Sequence, residues 1–260
     1  MIFFFDVDGT LLYHKQWCVP ASAVDALRAL HDAGHLLYLN TSRSPAEMAN
    51  VLLPLADIPF DGAVLTGGAL VLAHDQPVRE IYAPQTEMAR AMALLAQWHV
   101  PVRWQGLNDL FYTMEPPQEN RDVLSWLFGF VPDVRPWQGE RLMRLVVYLS
   151  DEQIAEMTSA FPALCVAPQG HTLVNITEKH VDKAEAMLAE AARLGFSPQQ
   201  VVAFGDGYND IAMLRSAGIG IAMGNCPEAV SRAAAYTTTP IEQDGILNAV
   251  RHFHFINQEG

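Results

Sequence analysis

The sequence predicts an α/β protein: a Rossmann-like parallel sheet core with helices on both faces, into which an α+β cap domain is inserted. Three observations carry this. Short apolar runs alternate with stretches of helical period up to Leu65, the alternation lapses after Thr66-Gly67-Gly68, and it resumes from Val181. Strands separated by helices in this rhythm form right-handed βαβ units, whose parallel sheet is covered on both faces. A length of 260 residues also suits two lobes, because single cores stop growing near ~250 residues.

Taken in order, Ile2 to Phe5 is a strand buried on both faces. Pro20-Ala21-Ser22 leads into a helix with Val24, Leu27 and Leu30 on one stripe, closed by Gly34. His35 to Leu39 is a second strand. Ser44-Pro45-Ala46-Glu47 opens the next helix with a Ser N-cap, a Pro at the first helical position and a Glu that completes a capping box. Ala63 to Leu65 is the third strand. Leu70 to Ala73 and Val78 to Tyr82 then flank His74-Asp75-Gln76-Pro77 as a hairpin.

Beyond Pro84 the pattern becomes mixed. It gives a helix to about Trp98, strands at Leu110 to Met114 and Leu145 to Leu149, a helix opening at Ser150, and a hairpin of Cys165 to Ala167 with Leu173 to Ile176 around Gln169-Gly170. From Val181 a helix carries Lys183, Met187, Leu188 and Leu194 and stops at Gly195. The strands Val201 to Phe204 and Ile219 to Ala222 follow, with a helix to about Ala217 between them and a closing helix from Pro227. The expected organisation is therefore a discontinuous core, 1–79 and 179–260, around an inserted cap at 80–178.

Half of the residues are apolar and 17% are charged, which suits a folded globular protein. The net charge of −13 and the lack of a Lys/Arg-rich run exclude nucleic acid as an expected partner. Cys18, Cys165 and Cys226 form neither a C-x-x-C nor a zinc spacing, which fits reduced thiols in a cytoplasmic protein. The apolar start is cut short by Asp6 and Asp8 and lacks a basic leader, so it does not read as a signal peptide. No run approaches the ~20 apolar residues of a membrane helix, so no membrane partner is expected.

Ligands of open α/β sheets bind beyond the carboxyl ends of the strands. The polar residues that stand out all follow apolar strands: Asp6 and Asp8 after the first, Thr41 to Arg43 after the second, and Asp206 to Asp210 after a late one. Asp6-Val7-Asp8-Gly9-Thr10 puts two carboxylates where a strand ends, and Gly9 lets the backbone turn closely around a ligand. Acids so close repel each other unless a cation or a shared proton intervenes. Mg²⁺ suits such a site, because it favours oxygen ligands and commonly takes one or two carboxylates. Asp206 and Asp210 can supply the rest. An isolated D-x-D is more often a cap or turn; a later G-D-x-x-N-D in the equivalent place argues against that here.

These motifs resemble those of haloacid dehalogenase superfamily phosphatases, more narrowly the Cof-type branch with a large C2 cap (class IIB). The resemblance spans nearly the whole chain. It rests on Asp6-Val7-Asp8-Gly9-Thr10-Leu11-Leu12, Thr41-Ser42-Arg43, Lys183 at a helix start, and Gly205-Asp206-Gly207-Tyr208-Asn209-Asp210, with support from Ala222-Met223-Gly224-Asn225 and Asp244-Gly245. It implies Asp6 as nucleophile through an aspartyl-phosphate and Asp8 as general acid and base. It implies Mg²⁺ held by Asp6, the backbone carbonyl of Asp8 and Asp206, with Asp210 orienting a metal-bound water. Thr41, the backbone N–H groups of Ser42 and Val7, and Lys183 would meet the phosphoryl group, and Asn209 would be a phosphate contact or a helix cap. Arg43 would reach substrate or anchor its loop. Ser42 departs from the glycine common in T-G-R. His14 and His180 lie near the motifs, where surface or core placement is expected of both.

Selectivity is expected from the cap, where Arg103, Trp104, Asn108, Tyr112, Arg144, His171 and Asn175 are the candidates. The family implies a small soluble phosphate ester, a sugar phosphate or a phosphorylated cofactor such as pyridoxal phosphate or flavin mononucleotide, turned over by a monomer or small homo-oligomer. The alternatives are a phosphomutase or phosphotransferase of the same fold, a receiver-like phospho-acceptor, which the large insertion fits poorly, and a catalytically silent binding protein, although no catalytic position is visibly replaced.

Overall fold

The structure, a computed structural model, describes residues 1–169 and 172–256. Its strands in chain order are β1 (Ile2–Phe5), β2 (Leu36–Asn40), β3 (Gly62–Leu65), β4 (Leu70–Ala73), β5 (Gln76–Glu80), β6 (Arg103–Gln105), β7 (Leu110–Tyr112), β8 (Arg144–Tyr148), β9 (Leu164–Pro168), β10 (Leu173–Glu178), β11 (Val201–Gly205), β12 (Ile219–Ala222) and β13 (Tyr236–Thr237). The chain forms two compact units, one of Met1–Ser42, Val51–Val78 and Asp182–Gly260, the other of Arg43–Asn50 and Arg79–Val181. Arg43–Asn50, placed with the core stretch 1–79 by the sequence reading, packs into the second unit.

The first unit is built on a sheet of order β13-β12-β11-β1-β2-β3-β4-β5. The strands from β13 to β3 pair in parallel, and β4 runs antiparallel to β3. β1 lies at the centre, with Phe5 opposite both Leu39 of β2 and Phe204 of β11. That position explains its composition: Ile2, Phe3, Phe4 and Phe5 are wholly buried, and each Phe contributes roughly 1.5–3 kcal/mol of burial. The helix Ala21–Asp32 buries Ala23, Ala26, Leu27 and Leu30, and Gly34 follows it with a positive φ of 80°. The β4–β5 turn is tighter than expected: β5 already includes Gln76 and Pro77, while His74 and Asp75 both have positive φ, the geometry of a two-residue hairpin turn.

The second unit is an antiparallel sheet of order β7-β6-β8-β10-β9, with helices Gln85–Gln97, Gln118–Phe128 and Asp151–Ala160. The Ser150 capping box forms, with Ser150 Oγ accepting from Gln153 N. The Ser44–Glu47 box also forms, but on a 3₁₀ turn, Pro45–Met48, that runs into a single α turn, Ala49–Leu52. The closing helix expected from Pro227 lasts only Glu228–Ser231. The chain then enters β13, and the last helix is Gly245–His252.

Candidate active site

Four separate stretches of chain meet at the carboxyl edge of β1, β2 and β11. Asp6 is the first residue after β1, and its amide continues the ladder by donating to Phe204 O at 2.9 Å. Thr41 is the first residue after β2, buried, with its amide on Val64 O at 2.9 Å. Asp206 is the first after β11. Lys183 opens the helix Lys183–Arg193, which is N-capped by Asp182 through bonds to the amides of Ala184 and Glu185 at 2.8 and 3.0 Å. This cap fixes where the Lys183 side chain leaves the helix.

Lys183 Nζ donates to Asp6 Oδ1 at 2.7 Å and to Asp210 Oδ1 at 2.6 Å, with all three side chains buried. The other oxygen of Asp210, Oδ2, accepts from the amides of Asp206 and Gly207 at 3.0 and 2.9 Å. Asp206 Oδ1 accepts from Thr10 Oγ1 at 3.0 Å, and its Oδ2 accepts from Asn225 Nδ2 at 3.3 Å. One carboxylate oxygen from each of Asp6, Asp206 and Asp210 lies within 4.8 Å of the others. Gly9, at φ +85°, is what lets the first loop pass this close, since a Cβ there would stand 2.2 Å from Asp206 Oδ2.

The electrostatics of the cluster are set by burial and by the crowding of its carboxylates. Burial, then repulsion from Asp210, raises Asp6 well above the usual carboxylate range even against the pull of Lys183. Burial and Asp210 push Asp206 up to about 7. Burial works against the charge of Lys183, but Asp210 and Asp6 outweigh it and hold the ammonium above the ordinary lysine range. Three carboxylates facing one ammonium, with two of them resisting ionisation, form a donor set suited to a hard oxygen-seeking cation. Asp6, Asp206 and Asp210 are the residues that could hold it.

Other expected residues lie close by. Ser42 Oγ accepts from Asn209 Nδ2 at 3.2 Å, so the serine that replaces glycine joins the second motif to the last. Val7 is buried, and its carbonyl accepts from the amides of Leu11 and Leu12 at 3.0 and 2.8 Å, closing the first loop. Asp8 accepts from His14 Nε2 at 2.8 Å, so the half-buried His14, expected only as a surface or core residue near the motifs, is bonded to one of them. Sequence reading also missed Thr10 and Asn225 as partners of Asp206, although both stand inside the quoted motifs.

Arg43 lies in the second unit, where its guanidinium donates to Glu47 O, Asn50 Oδ1 and Leu127 O. Of the specificity candidates, Trp104 is wholly buried and stacks on Phe111 and Trp137, and Tyr112 is buried too. Arg103 and Arg144 are buried beside Glu47. Asn108 is exposed, Asn175 is half-buried on β10, and His171 lies outside the described residues.

Residues 3–250 match the family model for haloacid dehalogenase-like hydrolases. The chain is a haloacid dehalogenase-like hydrolase. This hydrolase is 25% identical over 252 residues to the putative phosphatase YkrA of Bacillus subtilis, covering 96% of both chains. It is 27% identical over 249 residues to the B. subtilis 5-amino-6-(5-phospho-D-ribitylamino)uracil phosphatase YcsE, covering 95% of this chain and 93% of that one. Against a phosphoglycolate phosphatase of Methanopyrus kandleri the identity is 38% over 247 residues, covering 95% and 94%. Among solved structures it resembles the subclass IIB sugar phosphatase BT4131, with a TM-score of 0.89, 28% identity and coverage of 98% and 99%. The hydrolase is thus an enzyme of the phosphoric monoester hydrolase class. Among its described residues no helix is long and apolar enough to cross a membrane.

Proposed function

We propose that this enzyme hydrolyses a small phosphate monoester, a sugar phosphate or a phosphorylated cofactor, with Asp6 as nucleophile and Mg²⁺ as cation. The observation that carries the reading is the buried bond between Lys183 and Asp6 inside a cluster of three carboxylates. Lys183 pulls Asp6 toward the carboxylate form against burial and Asp210, a bound cation would complete that shift to the anion that can attack phosphorus, and the ammonium then offsets charge on the transferring group.

In the first step an Asp6 oxygen bonds to phosphorus, the ester P–O bond breaks, and Asp8 gives its proton to the departing alcohol. In the second, water attacks the phosphorus of the aspartyl-phosphate and loses a proton to Asp8, releasing phosphate and Asp6. The Thr41 hydroxyl and the backbone amides of Val7 and Ser42 bind the phosphoryl oxygens, with Asn209 supporting Ser42 and Arg43 as a further substrate-binding position. Asp6, the Asp8 backbone carbonyl and Asp206 would hold the cation, and Asp210 would orient its water. Bound Mg²⁺ supplies Lewis-acid stabilisation of the negative charge on the phosphoryl group.

The second unit reads as the inserted cap, 80–178, that selects the substrate. The range of esters in the relatives' names, from phosphoglycolate to a ribitylaminouracil phosphate, supports a small soluble substrate. A cytoplasmic monomer or small homo-oligomer, acting without nucleic acid or membrane, completes the proposal.

The test is a panel of phosphate esters assayed for released phosphate with Mg²⁺ and with chelator, alongside Asp6→Asn. Mg²⁺-dependent phosphate release that disappears in the variant is expected. Full Mg²⁺-dependent turnover by Asp6→Asn would overturn the assignment, and isomerised ester in place of phosphate would identify a phosphomutase.

A further inference from the structure

The geometry points to His14 as a positioning residue for the acid–base carboxyl of Asp8, acting on the leaving-group step of the reaction. His14 Nε2 lies 2.8 Å from Asp8 Oδ1, and the two side chains are 23% and 31% exposed. The pair therefore stands at the accessible margin of the site, where a leaving group must be met. The inference rests on the acid–base role proposed above for Asp8.

The loop that carries His14 is built to hold it. Leu12 N donates to Val7 O at 2.8 Å and Gly9 N to Leu12 O at 3.1 Å, which closes the turn after Asp8. Tyr13 N donates to Cys18 O at 2.9 Å and Gln16 N to Tyr13 O at 3.2 Å, which closes a second turn around His14. Trp17, with a positive φ of 51°, sets its ring 5.3 Å from the imidazole, centroid to centroid. Two backbone closures and an aromatic wall thus fix the ring that grips Asp8.

The chemistry follows from donor and acceptor roles. A carboxylate only accepts, so Nε2 carries the hydrogen of this bond. When Asp8 takes up a proton, the Oδ1 already accepting from His14 serves as the carbonyl oxygen, and the proton sits on Oδ2. His14 thereby selects which oxygen delivers the proton and the direction in which it points. As the ester P–O bond breaks, that proton passes from Oδ2 to the departing oxygen, and Asp8 returns to a carboxylate bonded to His14. The proton is recovered from the attacking water in the second step, so His14 itself neither gains nor loses one.

Such a role has a signature that packing alone does not produce. A poor leaving group, such as the alkoxide of glycerol 3-phosphate, needs its proton as the P–O bond breaks, whereas p-nitrophenolate departs without it. The parameter kcat/KM reports the steps up to the first P–O cleavage. The experiment measures it on glycerol 3-phosphate and p-nitrophenyl phosphate for wild type, His14→Ala, His14→Gln and Asp8→Asn. The ratio of the two values within each variant is independent of how much protein is folded.

His14→Ala is expected to lower the alkyl-to-aryl ratio about tenfold, a fraction of the ~10²–10⁴ that acid–base catalysis supplies. The loss should fall on kcat more than on KM. His14→Gln, whose amide nitrogen can donate to the same oxygen, should recover most of it, and Asp8→Asn should lower the ratio further than His14→Ala. An unchanged ratio in His14→Ala beside a lowered one in Asp8→Asn would overturn this inference alone. An unchanged ratio in Asp8→Asn would remove the acid–base role of Asp8, and the role of His14 with it.

Discussion

Lys183 Nζ and Asp6 Oδ1 are 2.7 Å apart, in a pair shut off from water and shared with Asp210. Removing one member of a buried ion pair strands the other. Lys183→Met should therefore cost on the order of 3–5 kcal/mol of stability and lower kcat/KM by ~10²–10³-fold. Urea denaturation at neutral pH and steady-state kinetics check the two parts. A variant as stable as wild type would show that the carboxylates do not depend on this ammonium.

Asp206 tests the cation. Its carboxyl is pushed up to about 7 by burial and Asp210, so its charge is unwelcome in the metal-free protein. Asp206→Asn should leave chelated protein as stable as wild type or more so, while raising the half-saturating Mg²⁺ concentration at least tenfold, roughly the loss seen when even an outer partner of a metal ligand is removed. Thermal melts across a Mg²⁺ series measure both, since a ligand of the native state raises Tm by mass action. A Tm that climbs with Mg²⁺ equally in variant and wild type would remove Asp206 from the cation site.

Gly9→Ala probes the close approach of the first loop. An alanine at φ +85° is strained by ~1–2 kcal/mol, and its Cβ would sit 2.2 Å from Asp206 Oδ2, so the carboxylate must move. The expected outcome is a larger fall in kcat/KM and Mg²⁺ affinity than the modest stability loss explains. Wild-type Mg²⁺ dependence in a folded variant would show that the loop can withdraw without harm.

His35 sets a pH dependence of stability away from the site. Its Nε2 pairs with Phe255 O at 3.1 Å and its ring meets Phe3, 5.2 Å between centroids. Burial lowers its pKa from the ordinary 6.5, and the bond to Phe255 O offsets that only in part. The unfolded chain then binds the proton more readily, so stability rises with pH here. The contribution is complete above 6.5 and is lost as pH falls toward the lowered folded value. His35→Gln keeps a donor without titrating, so between pH 7 and pH 5 its urea midpoint should fall less than that of wild type. Parallel curves would assign the acid sensitivity elsewhere.

Much of this was legible in the residues themselves. The phenylalanines of β1 announce a strand covered on both faces, and the acids that interrupt them mark its carboxyl end. Where tertiary context decided, the sequence was silent or misleading. A helix from Pro227 was expected to close the chain, yet it ends at Ser231, Ala235 N donates to Gly220 O at 2.9 Å and the chain pairs as β13. β6 is only three residues long, too short for alternation to register. The helix Gln118–Phe128 opens on Gln-Glu-Asn-Arg-Asp and buries only Asn120, Leu124 and Phe128, so its apolar stripe is thin. His14 was legible as lying near the motifs, but its bond to Asp8 was not, because a histidine six residues past an aspartate matches no spacing rule; the turn at Gly9–Leu12 and the one around His14 bring the ring back.

The placement of β1 between β2 and β11 governs the order in which a nascent chain can mature. One neighbour of the phenylalanine strand leaves the ribosome within about forty residues, and the other only after some two hundred, since Phe5 lies opposite Leu39 on one side and Phe204 on the other. Until then four apolar side chains that end up wholly buried present an open flank, a template for wrong pairing. That interval, which ends when Val201–Gly205 pairs with the free flank, is when a molecular chaperone would have most to protect.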